Sequence, residues 1–232
     1  MGIIGLIGYV GDIGTINFFS KPDMKILVIL ISHEMHPNHR PYVEALANYM
    51  KEYTVDYCGI SNQNDFHNYE SIIPFKYKII NPKRQLSKVC DFITEYKSEL
   101  NYDWYIKFRP DMLLLDPINF DMLSDTAVNA RAREYIGPKI IKYGKSFDNF
   151  EIIRNGGHYD KEEKHIILDD MIYIFHNNVV KLGGFESFPY TGIQEAETFQ
   201  TNLWTSRKIG LNVVGINALN TKYNYRSGDI IM

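Results

Sequence analysis

From Lys25 onward the chain alternates between short unbroken apolar runs and longer stretches whose apolar positions fall three and four residues apart. Ile26 to Ile31 is continuous and apolar, the pattern of a parallel strand covered on both faces. Pro41 to Tyr53 carries Val43, Leu46, Ala47 and Met50 at helical spacing, with Pro41 suited to a first turn. Strands are expected at Thr54 to Ile60 and Tyr77 to Ile80. Gln85 to Leu100 repeats the helical spacing through Leu86, Val89, Phe92, Ile93 and Tyr96, and another apolar run follows. This succession of strand, helix, strand, strand, helix and strand predicts an α/β fold, a mostly parallel central sheet flanked by helices with right-handed crossovers.

The second half is less regular. A strand is expected at Ala127 to Ala132, a loop-rich insertion at Gly137 to Asn149, and a turn at Asn155-Gly156-Gly157-His158. Ile166 to Phe175 is apolar around Asp169-Asp170. Gly183-Gly184 reads as a hinge. Glu195 to Ile209 has the spacing of an amphipathic helix through Phe199, Leu203 and Trp204, and Leu211 to Ile216 reads as a final strand. Ahead of all this, Gly2, Gly5, Gly8, Gly11 and Gly14 fall at every third position, the collagen period, but without proline and among Ile, Leu and Val. Residues 1–23 are therefore expected to be a flexible or β-like apolar segment or linker, and 24–232 one domain.

At 232 residues, with 45% hydrophobic and 23% charged residues, the composition is that of a globular chain with a substantial core. A net charge of −3 gives no sign of a general nucleic-acid binder, so an anionic ligand must meet a local cluster of Lys and Arg. Cys58 and Cys90 sit in apolar contexts and are expected as buried thiols. No apolar run reaches the ~20 residues of a membrane helix, and the N-terminus lacks a signal-peptide pattern; a cytoplasmic protein is the expectation.

The most concentrated chemistry lies in Asp103 to Asp116, DWYIKFRPDMLLLD. Trp104, Tyr105, Ile106 and Phe108 lead into Arg109-Pro110-Asp111, and the run resumes as Met112 to Leu115. Pro110 lacks an N–H and cannot extend a central ladder. The strand must break there, leaving Arg109 and Asp111 at its carboxyl edge, where open α/β sheets bind ligands. A structural ion pair closing the strand is the plainer alternative. Arg84, at the end of Asn81-Pro82-Lys83-Arg84, and Lys88 one turn later give the second helix a cationic start suited to an anion; a solvated helix face is the ordinary explanation. His33, His36 and His39 punctuate the loop after the first strand, where an exposed polar loop is preferred to a metal site. No Walker A, dinucleotide fingerprint, Gly-x-Ser-x-Gly elbow or His-Glu-x-x-His helix occurs.

On these residues the segment YDWYIKFRPDMLLL resembles the central strand of GT-A-type nucleotide-sugar glycosyltransferases, in the variant with Arg-Pro-Asp where the commoner pattern is Asp-x-Asp. The similarity covers the strand closely and the order of elements from Lys25 to about Asn217 loosely. It implies a single GT-A-like, Rossmann-like domain that takes a nucleoside-diphosphate sugar as donor and a carbohydrate or glycoconjugate as acceptor. Such a transfer builds negative charge on the leaving diphosphate, which a metal ion or an Arg/Lys clamp must meet. By the resemblance, Asp111 would hold Mn2+ or Mg2+ or accept from a sugar hydroxyl. Arg109 would pair with it or fork onto a phosphate, and Arg40, in the loop after the first strand, would contact pyrophosphate or uracil-type base edges. The resemblance places an Asp of this later segment near the acceptor, alternation along a strand lets only one of Asp169 and Asp170 face a site, and Asp170 is assigned to it, with a capping or turn role for the pair as the alternative. Glu197, beside Glu195 in GIQEAETF, would serve there as base or hydroxyl partner, with stabilisation of the start of the last helix as the plainer alternative. Arg109 in place of an acidic residue keeps open a catalytically silent sugar-nucleotide or glycan binder, and the glycine-periodic start keeps open a structural protein with an oligomerising tail.

Overall fold

Ile26 to Ile31 are completely buried, so the first strand has no solvent face and must lie inside a sheet covered on both sides. The computed structural model describes residues 23–136, 139–144, 164–186, 203–204 and 206–220. The glycine-periodic segment 1–22, the turn signal at Asn155 to His158, and Glu195 and Glu197 lie outside them.

Strand β1 (Lys25–Ile31) leads into helix α1 (Arg40–Met50), β2 (Thr54–Ser61), β3 (Phe75–Ile80), helix α2 (Gln85–Tyr96) and β4 (Trp104–Phe108). These strands stand in the order β3-β2-β1-β4, all parallel. Helix α1 covers one face, Val43, Leu46 and Met50 packing with Ile26, Val28, Leu30, Ile106 and Phe108. Helix α2 covers the other, Val89, Phe92 and Ile93 packing with Leu27, Ile29, Ile31 and Tyr105. Each such fully buried aliphatic side chain contributes about 1.5–3 kcal/mol. Gly59 in β2 is required by close approach: a Cβ there would stand 2.9 Å from the rings of both Phe66 and Phe75.

Beyond β4 the sheet continues with antiparallel neighbours, β8 (Lys164–His176), β6 (Ala127–Ile136) and β7 (Lys139–Gly144). Strand β9 (Gly210–Val213) lies parallel to β6 over Ala127 to Ala130, while β7 takes the same edge from Ala132 onward. A small second sheet joins β5 (Met112–Leu114) to β10 (Ala218–Asn220), antiparallel, on the α1 side. The α/β class with a parallel core and flanking helices is thus the one expected from the pattern. No helix among the described residues is long and apolar enough to cross a membrane. Cys58 and Cys90 are buried free thiols.

Several expectations are corrected. The stretch expected as a loop-rich insertion contains β7, and the interrupted apolar segment is two strands in two sheets, β4 and β5. The helix expected to reach Leu100 ends at Tyr96, and the last main-sheet strand ends at Val213. Gly183-Gly184 is not a hinge but a helix stop. After helix α3 (Asn177–Lys181), the Gly184 N–H donates to Val179 O at 2.9 Å and the Gly183 N–H to Val180 O at 3.0 Å, with Gly183 at φ 79°. That is a Schellman closure, which favours glycine at the left-handed position.

One irregularity sets up the site. Pairing of β6 with β8 slips between Ala130 and Ala132: Ala130 faces Tyr173 while Ala132 faces Leu168, so Asp169 to Ile172 bulge out of that ladder. Arg131 fills the step. Its Nε donates to Asp169 Oδ2 at 2.8 Å and its Nη1 to the carbonyl of Ala218 at 2.7 Å, with both charged side chains almost wholly buried. Asp169 Oδ1 also accepts from the Met171 N–H. Removing one member of a buried pair strands the other, so Asp169→Ala is expected to cost about 3–5 kcal/mol in chemical denaturation, and Arg131→Met with Asp169→Leu much less than the single change.

Candidate functional site

The chain leaves β1 towards β2 on one side and returns to β4 on the other, so the carboxyl ends of β1 and β4 flank a topological switch point, where open α/β sheets bind ligands. A cavity of about 300 Å³ lies there, lined by His33, Arg84, Gln85, Leu86, Lys107, Asp170 and Tyr173. His33 follows β1, and Arg84 to Leu86 form the start of α2. Lys107 lies near the end of β4, Tyr173 faces it across the antiparallel β4-β8 register, and Asp170 comes from the bulge.

Lys107 is the unexpected member. Alternation within β4 sends Tyr105 and Lys107 to the α2 face, while Trp104, Ile106 and Phe108 go to the α1 face. The side chain is buried, its ammonium donating to the carbonyl of Asp170 and to Gln85 Oε1 at 3.2 Å, and standing 5.3 Å from the centre of the Tyr173 ring. Tyr173 in turn packs on Phe185 and edge-on to Trp204, whose indole N–H donates to Gly184 O at 2.9 Å. Burial pulls the Lys107 pKa down to about 8, against the attraction of Asp170 and Asp169 and with a further push from Arg109.

Asp170 lines the cavity and Asp169 does not; the ion pair with Arg131 takes Asp169 into the interior behind it. Arg84 lines the cavity at the N-cap of α2. Lys88 is elsewhere: its buried ammonium donates to Ser32 O at 2.6 Å and Asn62 Oδ1 at 2.7 Å, tying the loops after β1 and β2, and burial lowers its pKa to about 8. Arg40 is also taken up in local structure, its guanidinium donating to Asn68 O at 2.6 Å and Ser71 Oγ at 2.8 Å.

Arg109 and Asp111 close on each other. The Arg109 N–H donates to Met171 O, its carbonyl accepts from Met112, and the guanidinium forks onto the carboxylate, Nε to Oδ1 at 3.0 Å and Nη2 to Oδ2 at 2.5 Å. Burial works against the Arg109 charge, and the Asp111 bonds more than restore it, raising its pKa. The two side chains are 21% and 14% exposed, and neither lines the cavity. The His39 pKa is lowered, first by burial and also by His36 and Arg109, while Asp111 opposes. The donor set does not fit a metal at Asp111. Both carboxylate oxygens accept from Arg109, and among the described residues no three His, Cys, Asp or Glu side chains are placed to hold an ion.

The residues that sequence reasoning passed over, Lys107, Gln85 and Tyr173, had one signal: a lysine between Ile106 and Phe108 in an otherwise apolar strand.

No protein-family profile and no curated protein matches the chain. Among solved structures it is similar to the inositol-1-phosphate CTP transferase of T. maritima, with a TM-score of 0.46 and 10% identity over 87% of this chain and 91% of that one. It is likewise similar to a Bacillus anthracis protein assigned as a glucose-1-phosphate thymidylyltransferase and solved with sucrose, with a TM-score of 0.45 and 12% identity over 85% and 89%.

The titration of Lys107 has a consequence for stability. Between about pH 8, where the folded protein releases this proton, and the 10.5 of an ordinary lysine, the unfolded chain holds the extra proton, so this group makes stability rise with pH. Lys107→Met removes the buried charge. Without ligand its melting temperature should equal or exceed that of the parent near neutral pH, and the difference should shift against the variant as pH rises through this window in thermal denaturation. Asp111→Asn, which leaves the Arg109 guanidinium without its fork, is expected to cost about 1.5–3 kcal/mol in the same assay.

Proposed function

We propose that residues 24–232 form one glycosyltransferase domain, moving a sugar from a nucleoside-diphosphate sugar to a carbohydrate or glycoconjugate acceptor. The observation that carries this reading is a crevice at the β1/β4 switch point with a cationic wall of Arg84 and Lys107 beside the start of α2 and the carboxylate-bearing Asp170 adjoining it. A sugar nucleotide has the matching polarity: an anionic diphosphate joined to a neutral ring whose hydroxyls seek acceptors. In the transfer an acceptor hydroxyl attacks the anomeric carbon, the bond from that carbon to the diphosphate oxygen breaks, and the electron pair leaves with the diphosphate. The cationic wall meets that charge, and Asp170 takes the hydroxyl proton. Glu197 is proposed for the acceptor side from its sequence context alone. Arg109 and Asp111 stay outside this crevice as a closed pair.

A second reading, binding of a sugar nucleotide without transfer, is favoured by the Asp111 carboxylate being held on both oxygens by Arg109.

A thermal-shift screen with UDP, GDP, CDP and their sugars, with and without Mn2+ or Mg2+, tests the binding half, since a ligand of the folded state raises the melting temperature. Release of nucleoside diphosphate in the presence of acceptor glycans tests the transfer. Asp170→Asn should retain the donor shift and lose turnover by about 10²–10⁴-fold. No shift with any sugar nucleotide would refute the reading, and a shift without turnover would select binding alone.

A further inference from the structure

We propose that Lys107 is the residue that grips the anionic group of the bound ligand, the diphosphate on the glycosyltransferase reading, on which this inference rests. A lysine in the middle row of a buried sheet, beside Ile29 on one strand and Tyr173 on the other, is a costly choice unless its charge is used. The two acceptors that hold the ammonium, the Asp170 carbonyl and the Gln85 carboxamide, are neutral. They orient the group without cancelling its charge, and a lysine has three donors. The carboxylates of Asp170, Asp169 and Asp111 act on it from a distance and do not overcome the effect of burial, while Arg109 adds repulsion. A positive charge with incomplete compensation is therefore held in the wall of a cavity.

Two further features converge on the same space. Arg84 is the N-cap of α2, a twelve-residue helix, and its side chain makes no capping bond to the first turn. An arginine is a donor and cannot cap an N-terminus, so an anion in the crevice would meet the helix start as well as the guanidinium. Among the described cavity-lining residues, Asp170 is the carboxylate and His33 the remaining titratable group besides Tyr173. Lys107, buried and fixed by two hydrogen bonds, is already in place before the ligand arrives, whereas Arg84 is a solvent-exposed side chain. That preorganisation makes the lysine the dominant contact.

The test uses the full chain and isothermal titration with UDP, GDP and CDP, inorganic pyrophosphate, and the corresponding nucleosides. Lys107→Met is expected to keep or raise the ligand-free melting temperature and to weaken nucleoside diphosphate and pyrophosphate at least about tenfold. Should that variant fail to fold, Gln85→Leu at the helix start leaves the charge present but poorly held and should weaken the same ligands about threefold or more. Wild-type protein that binds a nucleoside diphosphate, with Lys107→Met or Gln85→Leu binding it equally well, overturns the assignment. Binding of pyrophosphate that Lys107→Met loses, with no sugar nucleotide bound, supports the lysine assignment while refuting the glycosyltransferase reading. Absence of binding by every phosphate tested overturns both.

Discussion

Burying the ammonium of Lys107 strips water from a unit charge, and the surroundings of the crevice are arranged around that cost. The acceptors come from two different elements, α2 through Gln85 and the β8 bulge through the Asp170 carbonyl. The ring of Tyr173 stands 5.3 Å from the ammonium. Without the bulge, β8 would present a regular ladder to β6 at this level, and the Asp170 carbonyl would be committed to a neighbouring strand. The slip in register thus frees a backbone acceptor where a cation needs one and turns Asp170 towards the cavity. Arg131 stabilises the slip from behind by holding Asp169 and Ala218 together.

Much of the parallel half was legible because its information is local. Ile26 to Ile31 has no polar position, and a strand with no polar position has to be covered on both faces. The α1 and α2 spacings place their apolar stripes where the two cores require them. The antiparallel half was harder because its signals are partners distant in sequence. β7 was hidden by the glycine and lysine content of Gly137 to Gly144, which reads as loop until pairing with β6 supplies its hydrogen bonds. β5 was fused with β4 because both are apolar; Pro110 marks the break but not that the chain departs to a second sheet.

The candidate site divides along the same line. That one of two adjacent aspartates faces a cavity while the other is engaged inside follows from strand geometry, although the cause here is a bulge and an arginine from another strand. Arg109 and Asp111, the most conspicuous charges in the sequence, satisfy each other instead of lining the cavity. Proximity in sequence explains it: with one residue between them and a turn forced by Pro110, the fork is the nearest partner either can find. Arg40 and Lys88 follow the same economy, Arg40 held by a backbone carbonyl and the Ser71 hydroxyl, Lys88 by a backbone carbonyl and the Asn62 carboxamide. Lys107 escapes it because its own strand offers no counter-charge and its partners arrive from elsewhere.

The small sheet has a temporal implication. Met112 pairs with Asn220 and Leu114 with Ala218, so the strand that follows the Arg109–Asp111 turn stays unpaired on this edge until more than a hundred later residues have been made. The Ala218 carbonyl that receives Arg131 belongs to the same late arrival. During synthesis the parallel half can therefore assemble its layers early, while the wall behind the crevice waits for β10, the last strand among the described residues.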